Sequence, residues 1–468
     1  MTGDSRVSPG FREPEGPSPS RPTIGIVGHV GAQNLGDEAI IASVIQNIRR
    51  RWPEAVIRGF TSGPGDTEER HGIRSFPLRQ ADASQPAQDD SEEDHNESGE
   101  DRGDADSWRR RLKDLIKKRP VLFSLAKNVI QALQRVPTIG REVKFLLDSR
   151  QHVRELELLI FAGSHQLNDF VGGPWAYPYT VLKWSILAMR AGAKVVFLSM
   201  GAGPIETRLG RVFLRRALRL AAYRSYRDVT AGEVVDSLNV SETQTVVPDL
   251  AFGLRLPAIS VSTVDRSSGP IVGLNPLPLY AEYWHISDSS KYEAYITKLA
   301  RFSDWLIDRG CEVRFIPTQL LVDPAVIEDI QKRMTSSASL DRAQRDEMPS
   351  VQDLNSLIQA LSEVDIMVAT RYHGILLSLA LHKPVLAIAY HQKSRDLMQW
   401  LGLGEYVVDG DAFGARDLQE RWPSLEASVC RITASLEEQV PVFKQAVGDQ
   451  YDEVFGLLAS ETNSPTSN

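Results

Sequence analysis

The chain has 468 residues, 42% hydrophobic and 24% charged, which is the balance of a globular protein with room for two domains. Its formal net charge is −8, but residues 81–107 alone carry a balance of −10, so the remainder is near neutral. Charge therefore gives no support to a nucleic-acid-binding function. No apolar run is long enough to predict a membrane span, and two distant cysteines indicate neither a metal site nor a disulfide framework.

The ends of the chain and one internal segment have the composition of disordered regions. Residues 1–22 are rich in Pro, Gly and Ser and lack the apolar centre of a signal peptide, so we predict a disordered leader and a cytoplasmic protein. Residues 81–107 are predicted to form a disordered acidic insertion, and residues 461–468 a disordered tail. The basic stretch 109–119 favours a solvated helix face, with peripheral contact at the inner face of a membrane as the alternative.

Strands and helices alternate from residue 23 to residue 256, which predicts a parallel α/β domain. The predicted strands are Thr23–Gly28, Ala55–Phe60, Leu156–Ala162, Lys194–Ser199, Ser225–Arg227 and Thr245–Val247. The predicted helices are Asp37–Arg51, Tyr179–Ala191, Thr207–Ala222 and Val229–Leu238.

A polar segment at residues 257–269 is predicted to link this domain to a second α/β domain at residues 270–425, followed by C-terminal helices at residues 426–460. The predicted strands are Pro270–Leu274, Glu312–Ile316, Ile366–Thr370 and Pro384–Ala389. The predicted helices are Lys291–Arg309, Pro324–Met334, Val351–Glu363, Tyr372–Leu381 and Ser394–Leu401. The fold class is thus α/β, with two Rossmann-like domains whose parallel sheets face a cleft.

Three segments place polar residues after predicted strands of the first domain. Gly28–Ala39 is a glycine-containing turn into a helix, and its Asn34 and Asp37 are candidate ligand contacts, although a well-capped helix explains them equally well. His165 follows the third strand, where a structural role is the stronger interpretation. Arg227 follows the fifth strand and either binds an anion or pairs with Asp228 or Asp249.

The most informative segment is Thr370-Arg371-Tyr372-His373-Gly374, between a core strand and a helix. The guanidinium of Arg371 suits a phosphate or carboxylate, and the imidazole of His373 is a candidate general acid or base. The next strand ends with Tyr390 and Lys393, so two neighbouring strand ends both carry cationic groups. We interpret this edge as an anion site with a proton donor.

Taken in order, these motifs resemble the polysaccharide pyruvyl transferase family over roughly residues 23–405. Gln33–Asp37 resembles the family's opening motif, and the segment from Arg371 to Lys393 resembles its arginine–x–histidine and tyrosine–x–x–lysine motifs. The resemblance implies a fold like that of GT-B glycosyltransferases and transfer of pyruvate from phosphoenolpyruvate to a saccharide as a ketal. It also implies that Arg371 and His373 belong to the phosphoenolpyruvate site, with Arg227 as a further anion contact.

The resemblance implies no cofactor and no metal, since phosphoenolpyruvate is the donor substrate. The implied partners are phosphoenolpyruvate and a saccharide acceptor of a cell-envelope or exopolysaccharide precursor, which could be lipid-linked. Two alternatives stay open: a nucleotide-sugar glycosyltransferase of GT-B architecture, and a non-catalytic saccharide-binding relative. The second is motivated by departures at Ala162–His165, where the family usually has a glycine run, and at Asn275–Pro276, where an arginine is common.

Overall fold

The computed structural model describes residues 21–28, 31, 33–80, 140–170, 172–240, 245–256, 269–282, 287–335 and 351–459. The predicted leader up to residue 20, the acidic insertion, the basic stretch 109–119, the linker up to residue 268 and the C-terminal tail lie outside the described residues. In the part of the chain that is described, no helix has the length and apolar character needed to cross a membrane.

The first domain is built on a six-stranded sheet in which every paired strand runs parallel to its neighbour. The strands are β1 (Thr23–Val27), β2 (Val56–Thr61), β3 (Arg74–Pro77), β4 (Leu158–Ala162), β5 (Lys194–Met200) and β6 (Tyr223–Tyr226). Their spatial order is β3-β2-β1-β4-β5-β6, so the strand order reverses between β1 and β4. Such a reversal opens a crevice at the carboxyl ends of the strands, where α/β proteins bind ligands.

In the described part of this domain, six helices accompany the sheet. They are α1 (Leu35–Arg51), α2 (Pro64–His71), α3 (residues 140–153), α4 (Tyr177–Arg190), α5 (Arg208–Arg219) and α6 (Val229–Asp236). One hydrophobic cluster packs α3 to α6 against one face of the sheet, whereas α1 belongs to the cluster on the opposite face. Because both faces are covered, β4 is an uninterrupted buried run of five residues.

The second domain has a five-stranded parallel sheet of order β11-β10-β9-β7-β8. Its strands are β7 (Ile271–Asn275), β8 (Glu312–Phe315), β9 (Ile366–Ala369), β10 (Val385–Ala389) and β11 (Val407–Asp409). Its helices are α7 (Ser289–Asp308), α8 (Asp323–Arg333), α9 (Leu354–Glu363), α10 (Tyr372–Ala380), α11 (Gln392–Trp400) and α12 (Ala415–Ala427). Here the strand order reverses between β7 and β9, which gives a second crevice.

The last helix, α13 (Val429–Ala459), ties the two domains together. Its side chain Phe443 contacts Trp400 of the second domain, with ring centroids 4.7 Å apart. Further along, Phe455 packs against Trp52 of the first domain with ring centroids 4.9 Å apart, and Gln450 accepts a hydrogen bond from Ser225. The C-terminal segment therefore crosses back to the first domain, and one hydrophobic cluster runs through both sheets.

The prediction of two parallel α/β sheets is confirmed, and the predicted strands and helices are found within a few residues of their expected ends. Thr245–Val247 forms only an isolated bridge, between Tyr226 and Val246. The helix α2 and the short strands β3 and β11 had no prediction.

The crossing of α13 back to the first domain can be tested at its buried end. We expect Phe455→Ala to lower the free energy of unfolding by about 3–5 kcal/mol, because it leaves a cavity beside Trp52. The matched control is Val442→Ala in the same helix, where the side chain is 65% exposed, and we expect a change within about 0.5 kcal/mol. Urea unfolding measures both, and equal effects would contradict the crossing.

Candidate functional site

Loops at the carboxyl ends of strands from both sheets surround one small cavity of about 190 Å³, called the cleft below. The first domain contributes Asn34, Asp37, Ser164, His165, Gln166, Tyr177 and Arg227. The second domain contributes Thr318, Arg371, Tyr372, His373, Tyr390 and Lys393. All eight residues singled out from the sequence therefore line the same cleft. Arg227 is buried and the other seven are half-buried.

The two domains meet at the base of the cleft through paired backbone. Asn34 forms an antiparallel bridge with Gln319, the Leu35 amide donates to the Thr318 carbonyl at 2.9 Å, and the Leu320 amide donates to Gln33 at 3.1 Å. Directly above, Gly36 lies so close to His373 that a Cβ at Gly36 would overlap the imidazole. Only a glycine allows the first turns of α1 and α10 to approach this closely.

Arg371 is held by a carboxylate beneath the cleft. Its Nε donates to Asp323 Oδ1 at 3.0 Å, and its Nη2 donates to the same oxygen. The other oxygen of Asp323 accepts from the backbone amides of Thr318 at 2.9 Å and Gln319 at 2.8 Å. Asp323 is fully buried, so it fixes the guanidinium at the helix start and links it to the loop that meets Asn34.

Arg227 is the most enclosed cation of the cleft. Its Nε and Nη1 donate to Asp228 and Asp249, both at 3.3 Å, so the ion pairs that the sequence offered as an alternative both form. The guanidinium also lies 4.7 Å from the ring centroid of Tyr372. Burial lowers the pKa of Arg227, but Tyr372 and the two carboxylates raise it, and the net shift is upward. Arg227 is therefore charged at every ordinary pH.

Lys393 also lies close to Tyr372, with Nζ 5.2 Å from the ring centroid. Desolvation lowers its pKa to about 8, and the charge of Arg227 acts in the same direction. Tyr390, three residues earlier, packs against His391 with ring centroids 4.0 Å apart. Both Tyr390 and Lys393 thus reach the cleft from the end of β10 and the start of α11, as the sequence predicts.

The two histidines of the cleft are neutral near pH 7. The pKa of His373 is lowered to about 4, mainly by burial; Asp249 opposes this shift, whereas Lys393, Arg227 and Arg371 contribute to it. Burial also holds the pKa of His165 well below its ordinary value, with Lys393 and Arg227 adding to the shift. An anion bound among these groups would raise both pKa values, because it would offset the nearby positive charges.

The glycine-containing turn before α1 both caps the helix and borders the cleft. Asn34 caps the helix, since its side chain accepts from the Gly36 amide at 3.1 Å. Glu38 is buried and used structurally: it accepts from the Gly31 amide at 3.4 Å and pairs with His71. Asp37, on the same first turn, lines the cleft and raises the pKa of Lys393.

Unpartnered polar atoms concentrate at the cleft. Among the described residues, five of those lining it carry a buried polar atom without a hydrogen-bond partner: Ser164 Oγ, His165 Nδ1, Gln166 Nε2, Arg227 Nη2 and His373 Nε2. Each such atom costs about 1–3 kcal/mol, so proteins rarely gather several in one place without use for them. These donors and acceptors fit a small polar ligand that completes their hydrogen bonds.

A family comparison is decisive at this point. The family model described as polysaccharide pyruvyl transferase matches residues 34–392, which is most of the chain. The matched range includes every residue that lines the cleft except Lys393. The chain belongs to the polysaccharide pyruvyl transferase family. A search of curated proteins returns no match.

Solved structures agree on the fold of this family member. The chain is similar to the S. aureus MnaA–UDP co-structure, with a TM-score of 0.51, 10% identity, and coverage of 96% of this chain and 100% of that one. It is also similar to UDP-GlcNAc 2-epimerase from Neisseria meningitidis bound to UDP-GlcNAc, with a TM-score of 0.50, 10% identity, and coverage of 93% and 99%. At this identity the likeness establishes the fold, which is GT-B-like with two Rossmann-like domains.

Several functional neighbours in this pyruvyl transferase fold were missed from the sequence. The motif around Arg371 contains Tyr372 without indicating a role for it, although Arg227 and Lys393 both lie close to its ring. Asp323 precedes Pro324 at a helix start, a pattern that predicts only a cap. Asp249 was considered solely as a partner of Arg227, and nothing in the sequence indicated its influence on His373. The described residues contain no cluster of His, Cys, Asp or Glu suited to a metal ion.

The close approach at Gly36 gives a direct test of the cleft's geometry. We expect Gly36→Ala to lower the free energy of unfolding by about 1–3 kcal/mol, because the added methyl group forces α1 and α10 apart. The control is Gly456→Ala in α13, where no atom lies within 4 Å of the added Cβ, and a gain of about 0.5–1 kcal/mol is expected. Chemical denaturation measures the change in the free energy of unfolding for both variants. A change of the same sign in both would be inconsistent with this packing.

The lowered pKa of His373 predicts a pH-dependent stability. The unfolded chain binds this proton near the ordinary pKa of 6.5 and the folded protein only near 4. The stabilisation is therefore fully present above pH 6.5 and is lost as the pH falls to 4. When the pH falls from 7 to 4, the free energy of unfolding should decrease less in His373→Gln than in the wild type. The difference between the two decreases should be at most about 3 kcal/mol. Unfolding curves at several pH values measure this difference, and parallel pH profiles would refute it.

Proposed function

We propose that this protein transfers a pyruvyl group from phosphoenolpyruvate to a saccharide of a cell-envelope or exopolysaccharide precursor and forms a pyruvate ketal. The observation that carries the proposal is the cleft of this family member, where three positioned cations and the neutral His373 surround unpartnered polar atoms. The proposal uses phosphoenolpyruvate as donor substrate and no cofactor. We place the reaction in the cytoplasm, where phosphoenolpyruvate is made.

Phosphoenolpyruvate carries a phosphate and a carboxylate, and the cleft has cations on two sides for them. Arg371 stands at the start of α10, where the helix dipole adds positive potential. Lys393 and Arg227 both lie close to the ring of Tyr372, and Nη2 of Arg227 has no hydrogen-bond partner. Because Asp323, Asp228 and Asp249 hold the two guanidinium groups, little rearrangement is needed when the anion arrives.

The chemistry requires one proton to be delivered to carbon. Protonation of the methylene carbon of phosphoenolpyruvate generates a cationic centre at C2, which one sugar hydroxyl attacks with loss of its proton. The C–O bond to phosphate then breaks, a second hydroxyl attacks C2 and loses its proton, and the ketal closes. The products are the ketal and inorganic phosphate, which carries away the second hydroxyl proton.

His373 is the group proposed to move these protons. With a pKa of about 4 it is neutral in the free protein at pH 7, which suits it to accept a proton from a hydroxyl. Negative charge from phosphoenolpyruvate beside it would raise this pKa and allow it to donate. General acid–base help of this kind is worth about 10²–10⁴ in rate.

The size of the cleft favours this donor over a nucleotide sugar. Pockets for drug-sized ligands are typically about 300–1,000 Å³, whereas this cleft measures about 190 Å³. A nucleotide sugar such as the UDP-GlcNAc bound in the Neisseria meningitidis structure would need a wider opening between the domains. The acceptor, whether free or lipid-linked, would approach from the side of the first domain, where His165 and Tyr177 border the cleft.

The direct test pairs a binding measurement with a turnover measurement. We expect phosphoenolpyruvate to bind in titration calorimetry at up to millimolar concentration, with proton uptake at pH 7 because the pKa of His373 rises. Phosphate release with a panel of saccharide acceptors should follow and should fall about 10²–10⁴-fold in His373→Gln. The absence of phosphoenolpyruvate binding, together with thermal stabilisation by a uridine diphosphate sugar, would replace this proposal with the glycosyltransferase alternative.

A matched pair of variants separates charge from geometry at Arg371. Arg371→Lys keeps the charge but cannot bridge Asp323 through two nitrogens, and Asp323→Asn keeps the arginine but weakens its anchor. Both should weaken phosphoenolpyruvate binding. The control is Arg333→Lys at the end of α8, where the side chain pairs with Glu293 of α7, and it should leave binding unchanged. Equal effects from all three variants would remove Arg371 from the donor site.

A further inference from the structure

The helix α5 presents a strongly basic face to solvent. Its sequence contains five arginines and neither Asp nor Glu. The exposed positions recur at intervals that place them on one side of the helix: Arg208, Leu209, Val212, Arg215, Arg216 and Arg219. The opposite side is buried through Gly210, Leu214, Ala217 and Leu218. This surface, called the α5 face below, is therefore displayed without a structural need in the described fold.

The charges of the α5 face are not neutralised by carboxylates. Within the described part of the chain, none of the ion pairs involves an α5 arginine. Arg211 and Arg219 donate instead to backbone carbonyls of Ser237 and Asn239, at 2.6 and 3.1 Å. Beside them, Arg211 and Arg215 border a surface hollow of about 220 Å³. The face thus offers uncompensated positive charge to an anionic partner.

Large apolar side chains stand beside and between these arginines. Trp175 is 64% exposed, Phe170 44% and Val212 56%, although side chains of this size are usually covered in a soluble domain. Trp175 lies in a 3-10 turn, Gly173–Trp175, and packs against Phe213 of α5 with ring centroids 5.4 Å apart. The turn and the helix therefore form one continuous surface.

We infer that the α5 face, together with Phe170 and Trp175, binds the surface of an anionic lipid bilayer. An interfacial helix combines arginines for lipid headgroups with apolar and aromatic side chains for the boundary of the acyl layer. A nucleic-acid duplex would bind its phosphates to the arginines and would leave Leu209, Val212 and the exposed indole in water. Because arginines and exposed apolar side chains share one face, this face fits an anionic bilayer better than a duplex.

The bilayer-binding surface is connected to the cleft through one short segment. His165 and Tyr177 line the cleft, and Phe170 and Trp175 lie between them in sequence. Phe170 also contacts His165 directly, with ring centroids 6.3 Å apart. Docking would hold the first-domain side of the cleft next to the membrane. Bilayer binding itself does not depend on the proposed function, but its use in reaching a lipid-linked acceptor does.

The test is co-sedimentation of the full chain with vesicles. We expect binding to vesicles of phosphatidylcholine mixed equally with phosphatidylglycerol, little binding to phosphatidylcholine alone, and release at high salt. Arg215→Glu/Arg216→Glu should lower the partition coefficient at least about tenfold, since each arginine near the surface contributes substantially to binding. Trp175→Ala should lower it on the same anionic vesicles without changing the salt dependence.

The matched control reverses two exposed arginines elsewhere on the same domain. Arg49→Glu/Arg51→Glu changes the net charge equally, but α1 covers the opposite face of the sheet, so vesicle binding should be retained. Circular dichroism confirms that all variants are folded. Retained binding in the α5 double variant would overturn the proposal and assign membrane contact to another basic segment, such as residues 109–119. Binding to duplex DNA without binding to vesicles would overturn it as well.

Discussion

The close approach of two helix starts from different domains is the constraint on which the rest of this structure depends. Gly36 in α1 touches the imidazole of His373 in α10, and no larger residue fits between them. Because the paired backbone at Asn34 and Gln319 lies immediately below, the distance between the domains is fixed at the base of the cleft. The small volume of the cleft follows from this contact. So does the desolvation that lowers the pKa of His373, since the facing helix excludes water from the ring.

The electrostatics of the cleft are arranged by buried carboxylates. A bare cluster of arginines would repel itself and distort, but Asp323 holds Arg371 while Asp228 and Asp249 hold Arg227. Such pairing reduces the net attraction for an anion and in return fixes the direction in which each guanidinium points. Lys393 is the exception: desolvation and Arg227 bring its pKa down to about 8. A bound anion would therefore have its largest effect on Lys393 and His373, the two groups whose charge state is least settled.

The sequence predicted both sheets and eight of the thirteen residues that line the cleft, because apolar runs alternate regularly with amphipathic segments and parallel strands bring their carboxyl ends to one edge. It did not predict β3 or β11, since four-residue and three-residue edge strands carry too little pattern. It also treated the C-terminal helices as a separate segment, although α13 crosses back to the first domain. That path depends on contacts such as Phe455 with Trp52, which are distant in sequence and leave no local signal. Asp323 was missed for a different reason. An aspartate before Pro324 is already explained as part of a helix start, so the local sequence indicated no role at the cleft.

The two departures from the family pattern differ in physical character. Asn275 belongs to the framework: its Nδ2 donates to the Ile316 carbonyl at 2.7 Å, and Gly374 packs against its Oδ1, so it joins β7 and β8 to the start of α10. A residue in that position supports Arg371 and His373 from behind without entering the cleft. Asn275 Oδ1 lacks a hydrogen-bond partner, as do Ser164 Oγ and His165 Nδ1, but only Ser164 and His165 line the cleft, and Ser164 has a left-handed backbone with φ of 59°. Strain and unsatisfied polar groups on one wall are hard to reconcile with a degenerate site and easy to reconcile with a wall that binds something polar. Ser164 and His165 therefore belong to the part of the cleft wall that continues along the chain to Phe170 and Trp175.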